Sequence, residues 1–229
     1  VYRLIGYEYN LVFERREILK KLCEYKVSFK PNTSSSYRHV FGGREWKTPK
    51  CCNCDNYYHQ ILSLDLNDPR LGSIMGVRDL NIPLISCLNC SSNWGEQFFK
   101  IEFEKKQVIQ IYNNDKHNWI ENDDLRLVYP LPQMNVSLEL LSNEESKNIL
   151  NDFGIKYFIT VLGEPLYLYS NNMINSYCPL CHKKMTYLAT VCSDFANIIK
   201  NFDFQFGEQW LYFYYCNNCE TMKVIGQST

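Results

Sequence analysis

Eight of the eleven cysteines in this 229-residue chain fall into four C-x-x-C pairs: Cys51/Cys54, Cys87/Cys90, Cys178/Cys181 and Cys216/Cys219. A two-residue spacing lets one tight turn aim both sulfurs at a single ion, and two such pairs complete a tetrahedral tetrathiolate site. Disulfides are the competing chemistry. An extracellular disulfide framework is rarely built from four such pairs, and metal thiolates need a reducing compartment, which points to the cytoplasm. The expectation is two structural zinc ions, each held by four cysteines, although a four-sulfur tetrahedron also accepts iron.

Gap lengths indicate which pairs combine. Between Cys54 and Cys87 lie 32 residues, and between Cys181 and Cys216 lie 34, so the same unit is expected twice. Leu62 and Leu64 stand at the same distance past the first pair as Ala189 and Val191 past the third. Each closing pair follows an apolar, strand-like run, Ile82–Ser86 (broken by Pro83) and Trp210–Tyr215. The predicted sites are therefore Cys51/Cys54/Cys87/Cys90 and Cys178/Cys181/Cys216/Cys219. The gaps exceed the ~15–20 residues usual in zinc ribbons. Doubling a loop, however, costs only about 0.6 kcal/mol of closure entropy, against roughly 10–16 kcal/mol for binding a structural zinc. Cys52 adjoins Cys51 and could replace it as the ligand; the spacing of the other three pairs favours Cys51. Cys23 and Cys192 read as buried thiols.

Catalytic constellations are missing from the sequence. A catalytic zinc keeps an open position and usually includes His or a carboxylate among its ligands. The four histidines (His39, His59, His117, His182) form no H-E-x-x-H, and His182 beside Cys181 reads as a surface residue. No G-x-S-x-G, phosphate-binding loop or dinucleotide fingerprint occurs. Asp65/Asp68 and Asp123-Asp124 read as ordinary loop carboxylates.

The elements that must position the cysteines read as mostly strands, with few helices. Asn10 to Tyr25 carries Leu11, Ile18, Leu22 and Cys23 at helical spacing, opposite a mixed-charge face. Residues 31–36 form a loop. Phe98–Tyr112 predicts two short strands with a turn near Glu104–Gln107. Ser142-Asn-Glu-Glu145 fits a capping box opening a second helix, with Asn151-to-Gly154 as its stop. Tyr157–Leu162 and Trp210–Tyr215 are strand-like. The fold class expected is α+β and β-rich: two pseudo-repeated halves, 1–130 and 131–229, with antiparallel sheets and one zinc site each.

These motifs resemble those of the YwqG-like proteins and the related programmed cell death 2 proteins. That family combines a Gly-Gly-x-Pro-x-Trp turn, a C-x-x-C knuckle, an apolar strand ending in Gln, and a second knuckle after a closing strand. Here Gly42-Gly43-Arg44-Glu45-Trp46 stands for the turn, with Glu45 in place of Pro. Gly163-Glu164-Pro165-Leu166-Tyr167 is a weaker echo, and Ser63 and Thr190 replace the Gln. The resemblance spans roughly residues 38–104 and 155–227. It implies a β-rich fold without established catalysis. It also implies a protein partner, since eukaryotic members handle a ribosomal protein and bacterial ones often accompany toxin–immunity loci.

Composition narrows the function class. A net charge of −1 gives no bulk reason for a nucleic-acid or membrane partner, and no apolar run reaches the ~18 residues needed to span a bilayer. Seventeen Tyr, thirteen Phe and four Trp suit strands and binding surfaces. The functional expectation is a non-enzymatic, zinc-stabilised protein-binding module, with an immunity protein against a cognate toxin placed first. A chaperone for a ribosomal or other basic client, and a nucleic-acid-binding zinc ribbon, are the alternatives.

Overall fold

A computed structural model describes residues 24–30, 36–75, 79–90, 95–113, 126–142, 144–145, 149–151, 154–155, 157–165, 167 and 175–228. Its strands are β1 (Tyr25–Ser28), β2 (His39–Phe41), β3 (His59–Asp65), β4 (Asn81–Ser86), β5 (Glu96–Glu102), β6 (Gln107–Asn113) and β7 (Met134–Leu140). They continue with β8 (Leu150–Asn151), β9 (Gly154–Ile155), β10 (Ile159–Val161), β11 (Thr186–Cys192), β12 (Gln209–Cys216) and β13 (Thr221–Ser228). Eleven form one sheet in the order β4-β3-β2-β7-β1-β10-β11-β12-β13-β5-β6, and each neighbouring pair is antiparallel. Strands from before and after residue 130 are interleaved: β7 lies between β2 and β1, and β5 pairs with β13.

The sheet is curled, so that its two ends meet. Lys47, just past β2, donates from its backbone N–H to Lys106 O and accepts at its carbonyl from Val108 N, which ties the β6 end to the β2–β3 connection. Ser86 of β4 and Gln97 of β5 hydrogen-bond through their side chains across the same seam. Inside the curl, Phe29, Phe41, Phe158 and Phe204 pack with ring centroids 5.2–6.3 Å apart. All eight residues of β12 are buried. Much of the aromatic excess is therefore core, where large rings supply most of the burial. Pro83 is accommodated because β4 is an edge strand, where a missing N–H breaks no ladder bond.

The described residues are β-rich with almost no helix: a 3-10 turn at Pro69–Leu71 and one helical turn at Gly72–Met75, besides the helical pair 144–145. The predicted helix over 10–25 lies outside the described residues up to 23, and Tyr25 opens β1 instead, pairing with both Val161 and Leu140. The capping box is present: Ser142 N donates to Glu145, and Glu145 N donates to Ser142 Oγ at 3.1 Å. The predicted stop of that helix has a different role. Asn151 and Gly154 face each other across the β8–β9 hairpin, so they close a strand pair and do not terminate a long helix.

Asp65 and Asp68 are not ordinary loop carboxylates: Asp65 ends β3, and Asp68 caps the turn that follows. Asp68 is wholly buried, accepts from Arg70 N and Nε, and lies 3.0 Å from His39 Nε2. Asp65 N donates to His39 Nδ1, which leaves Nε2 as the protonated nitrogen facing Asp68. Arg70 reaches on to the carbonyl of Leu138 in β7, so the network fastens β2, the turn after β3 and β7 together. Burial holds His39 below its ordinary value despite the Asp68 hydrogen bond. Burial likewise pushes His59 down to about 4.

Two outcomes are expected. At Gly42 (φ +69°) an added Cβ would lie 2.1 Å from Pro132 O, so Gly42→Ala should lower stability by more than ~3 kcal/mol, the left-handed backbone alone costing about 1–2. Gly207→Ala, whose Cβ meets only the end of Gln209 at 3.7 Å, should cost less in urea denaturation. Because the folded pKa of His59 is depressed, its stabilising share is complete above the unfolded value near 6.5 and is lost as pH falls towards 4. The loss should reach on the order of 3 kcal/mol, and His59→Gln should flatten the fall in denaturation midpoint between those pH values.

Candidate metal centres

Strand register gathers the cysteines. β3 begins at His59, five residues past Cys54, and β4 ends at Ser86, immediately before Cys87. Pairing His59 with Ser86 therefore brings the first and second C-x-x-C pairs together. On the other side Thr186 pairs with Tyr215, which does the same for Cys181 and Cys216. The long gaps are thus hairpins whose ends are closed by the sheet.

The two opening knuckles share their backbone at a constant offset of 127 residues, Cys51 to Cys178 and Cys54 to Cys181. Asp55 N donates to Cys51 O at 2.9 Å, and His182 N to Cys178 O at 2.8 Å. Cys51 N donates to Asn56 O and Cys178 N to Lys183 O. Lys50 bridges Tyr57 just as Tyr177 bridges Lys184. Asp55, His182 and Glu220, each immediately after the second cysteine of its pair, have φ of 55°, 57° and 51°. That left-handed residue turns the chain back so that the sulfurs converge. The strands that follow bulge at matching places, between Gln60 and Leu62 and between Tyr187 and Ala189. Upstream, Gly42/Gly43 and Leu162/Gly163 are left-handed pairs, and Gly42 N and Leu162 N donate to the bulged Ile61 and Leu188 carbonyls. Gln60, buried, supports the first turn by donating to Gly42 O and accepting from Trp46 N.

The result is two groups of four sulfurs, Cys51/Cys54/Cys87/Cys90 and Cys178/Cys181/Cys216/Cys219, with the ligand atoms of each group within 4.8 Å of one another. In the first, Cys51–Cys90, Cys54–Cys87 and Cys87–Cys90 are 3.6, 3.5 and 3.3 Å apart; in the second, Cys181–Cys216 is 3.5 Å. A disulfide needs about 2.05 Å. Zinc with Zn–S near 2.3 Å has sulfur–sulfur edges of roughly 3.8 Å. Cys51, not Cys52, belongs to the first group; Cys52 is exposed, with Gln110 Nε2 3.8 Å from its sulfur. Cys192 lies apart from both groups, buried, with burial pushing its thiol up to about 12. Cys23 and His117 lie outside the described residues, and His182 is exposed on its turn.

The donor set fits a cation. Cys54 is brought down to about 6, chiefly by its hydrogen bond with Cys87, whereas hydrogen bonds with Cys51, Cys54 and Cys90 drive Cys87 far upward. At the second site burial raises Cys216 to about 12, while Cys178, although burial opposes it, is brought down to about 7 by backbone N–H groups of Cys181 and Leu180. Asn53 N and Asn56 Nδ2 point at the first group, and Thr221 Oγ1 at the second, so the surroundings favour sulfur carrying negative charge. Tyr58, which no sequence motif marks, buries its hydroxyl without a hydrogen-bond partner among the described residues, while its ring packs edge-on to Phe99. Burial and then the Cys51 and Cys87 sulfurs keep that phenol protonated, and metal-bound thiolates would give it an acceptor.

No family model matches the chain, and no curated protein or solved structure matches it either. No helix among the described residues is long and apolar enough to cross a membrane.

Purified protein should carry about two equivalents of zinc by elemental analysis, falling to about one in Cys87→Ser or Cys216→Ser and staying near two in Cys52→Ser. Cys192→Ser should keep both ions and cost no more than about 1–2 kcal/mol. Retention of two ions in both ligand variants would contradict the grouping.

Proposed function

We propose that this chain is a protein-binding module without turnover of its own, its shape held by two structural zinc ions. The observation that carries the reading is that each sulfur group supplies four cysteines, a full tetrahedral set. A tetrathiolate zinc leaves no position for substrate or an activated water, so the metal acts as a clamp on the hairpin ends. His39, the buried histidine with a carboxylate partner, has both ring nitrogens engaged in holding strands together, which supports a structural role for it.

We also infer that the two knuckle hairpins are copies of one ancestral unit. The shared offset, the matching backbone bonds, the left-handed residues and the paired bulges all support this. The resemblance to the YwqG-like and programmed cell death 2 proteins supports a protein partner, with a cognate toxin as the first candidate and a basic client protein as the second. A reducing, cytoplasmic setting suits free thiols and thiolate-bound metal.

Zinc-loaded protein expressed in its native host should copurify with one protein in fixed stoichiometry, and calorimetry on the reconstituted pair should return a saturable isotherm. Stripping zinc with a chelator should abolish the complex by unfolding the hairpins. A chain that retains no partner and turns over a substrate in a hydrolase screen would overturn the proposal.

A further inference from the structure

The two knuckles are alike in backbone but not in what they present. At matched positions the first reads Lys50, Asn53, Asp55, Asn56 and Tyr57, and the second reads Tyr177, Leu180, His182, Lys183 and Lys184. On the first, Lys50 pairs with Asp55 at 2.9 Å and lies over Tyr57, whose ring also stacks on Tyr129. Its lysine has a carboxylate partner and its ring an aromatic one, although Tyr57 remains 46% exposed. On the second, Tyr177 is 54% exposed and Leu180 55% exposed, with His182, Lys183 and Lys184 exposed beside them. Tyr177 and Lys184 are bridge partners across the small hairpin, so their side chains stand on one face. Lys183 donates only to Asn218 Oδ1, at 3.4 Å, and neither lysine has a carboxylate partner among the described residues.

From this contrast we propose that the outer face of the second knuckle, Tyr177 to Lys184, is a docking site for an acidic segment of a partner protein that carries an apolar side chain. The inference rests on the protein-binding reading and assigns that reading a surface. Charge complementarity argues for the occupant. Two unpaired lysines, with a histidine beside them, form a local positive patch on a chain of net charge −1. Neutralising a tetrathiolate zinc does not account for them, since the first knuckle holds the same four sulfurs while Lys50 and Asp55 cancel. A nucleic-acid strand is the poorer fit. Backbone binding draws its affinity from many cations spread along the strand, whereas this patch offers two lysines and one ring on a hairpin tip. Tyr177 and Leu180 supply the apolar anchor that peptide recognition needs, held rigid by Pro179 between the two cysteines and by the sulfur group beneath.

The test uses full-length, zinc-loaded protein and a short fluorescent peptide alternating glutamate with leucine. The expected result is saturable binding, with amide NMR shifts confined to residues 177–184 and weakening several-fold between about 50 and about 300 mM salt. Lys183→Glu combined with Lys184→Glu should weaken binding at least about tenfold while keeping both zinc ions, and Leu180→Ser should do so without changing net charge. Absence of binding, shifts elsewhere, or equal binding of the glutamine-for-glutamate peptide would overturn the proposal, as would tighter binding of an oligothymidylate of equal length. A native partner retained unchanged by the double lysine variant would remove this docking site and leave the protein-binding reading standing. Failure to form any complex would remove both.

Discussion

Crowding of four cysteine sulfurs into a space under 4.8 Å across is the constraint on which the rest of the structure turns. As thiols they hydrogen-bond weakly to one another, and as thiolates they repel. A cation resolves both problems and contributes roughly 10–16 kcal/mol, comparable to the typical net stability of a whole domain. The sheet has only to deliver the cysteines to the right places, and antiparallel pairing of β3 with β4 and of β11 with β12 does so. In turn a bound ion would hold the ends of both hairpins, where strand pairing would otherwise fray.

The packing around each group is arranged for that purpose. A left-handed residue after the second cysteine costs about 1–2 kcal/mol where it is not glycine. That cost is borne at Asp55, His182 and Glu220, three unrelated side chains, which indicates that the backbone turn itself is what the site requires. Leu162 accepts the same conformation next to Gly163, whereas at Gly42 the carbonyl of Pro132 fills the space a side chain would need. The two turns thus do equivalent work under different local crowding.

The members of the two sulfur groups were legible in the sequence because a two-residue spacing constrains geometry locally, and a knuckle needs little from the rest of the chain. Strands with uninterrupted apolar runs, such as Trp210–Tyr215, were legible for a similar reason. Less visible was everything fixed at a distance. Asp68 sits in a polar stretch, and its burial depends on His39 from another strand and on Arg70 reaching to β7. The hydroxyl of Tyr58 is buried beside the Cys51 and Cys87 sulfurs, which come together only once β3 pairs with β4. The run from Ser142 carries a true capping box, yet the β8–β9 hairpin claims the residues that read as its continuation. Nor does periodicity tell that β5 joins β13, since either could have stayed with its own hairpin partner alone.

That last pairing has a consequence for how the molecule is made. β5, at residues 96–102, cannot find its inner neighbour until β13, at residues 221–228, has left the ribosome, and β1 likewise waits for β7 and β10. At about 5–20 residues per second of synthesis, the gap between β5 and β13 corresponds to a delay of roughly 6–25 seconds. Throughout that interval Phe98, Phe99 and Ile101, all buried in the finished sheet, belong to a strand with one open side. The first sulfur group draws only on residues up to Cys90, so it can close before the wait begins and keep the nascent β3–β4 hairpin from joining a neighbouring chain.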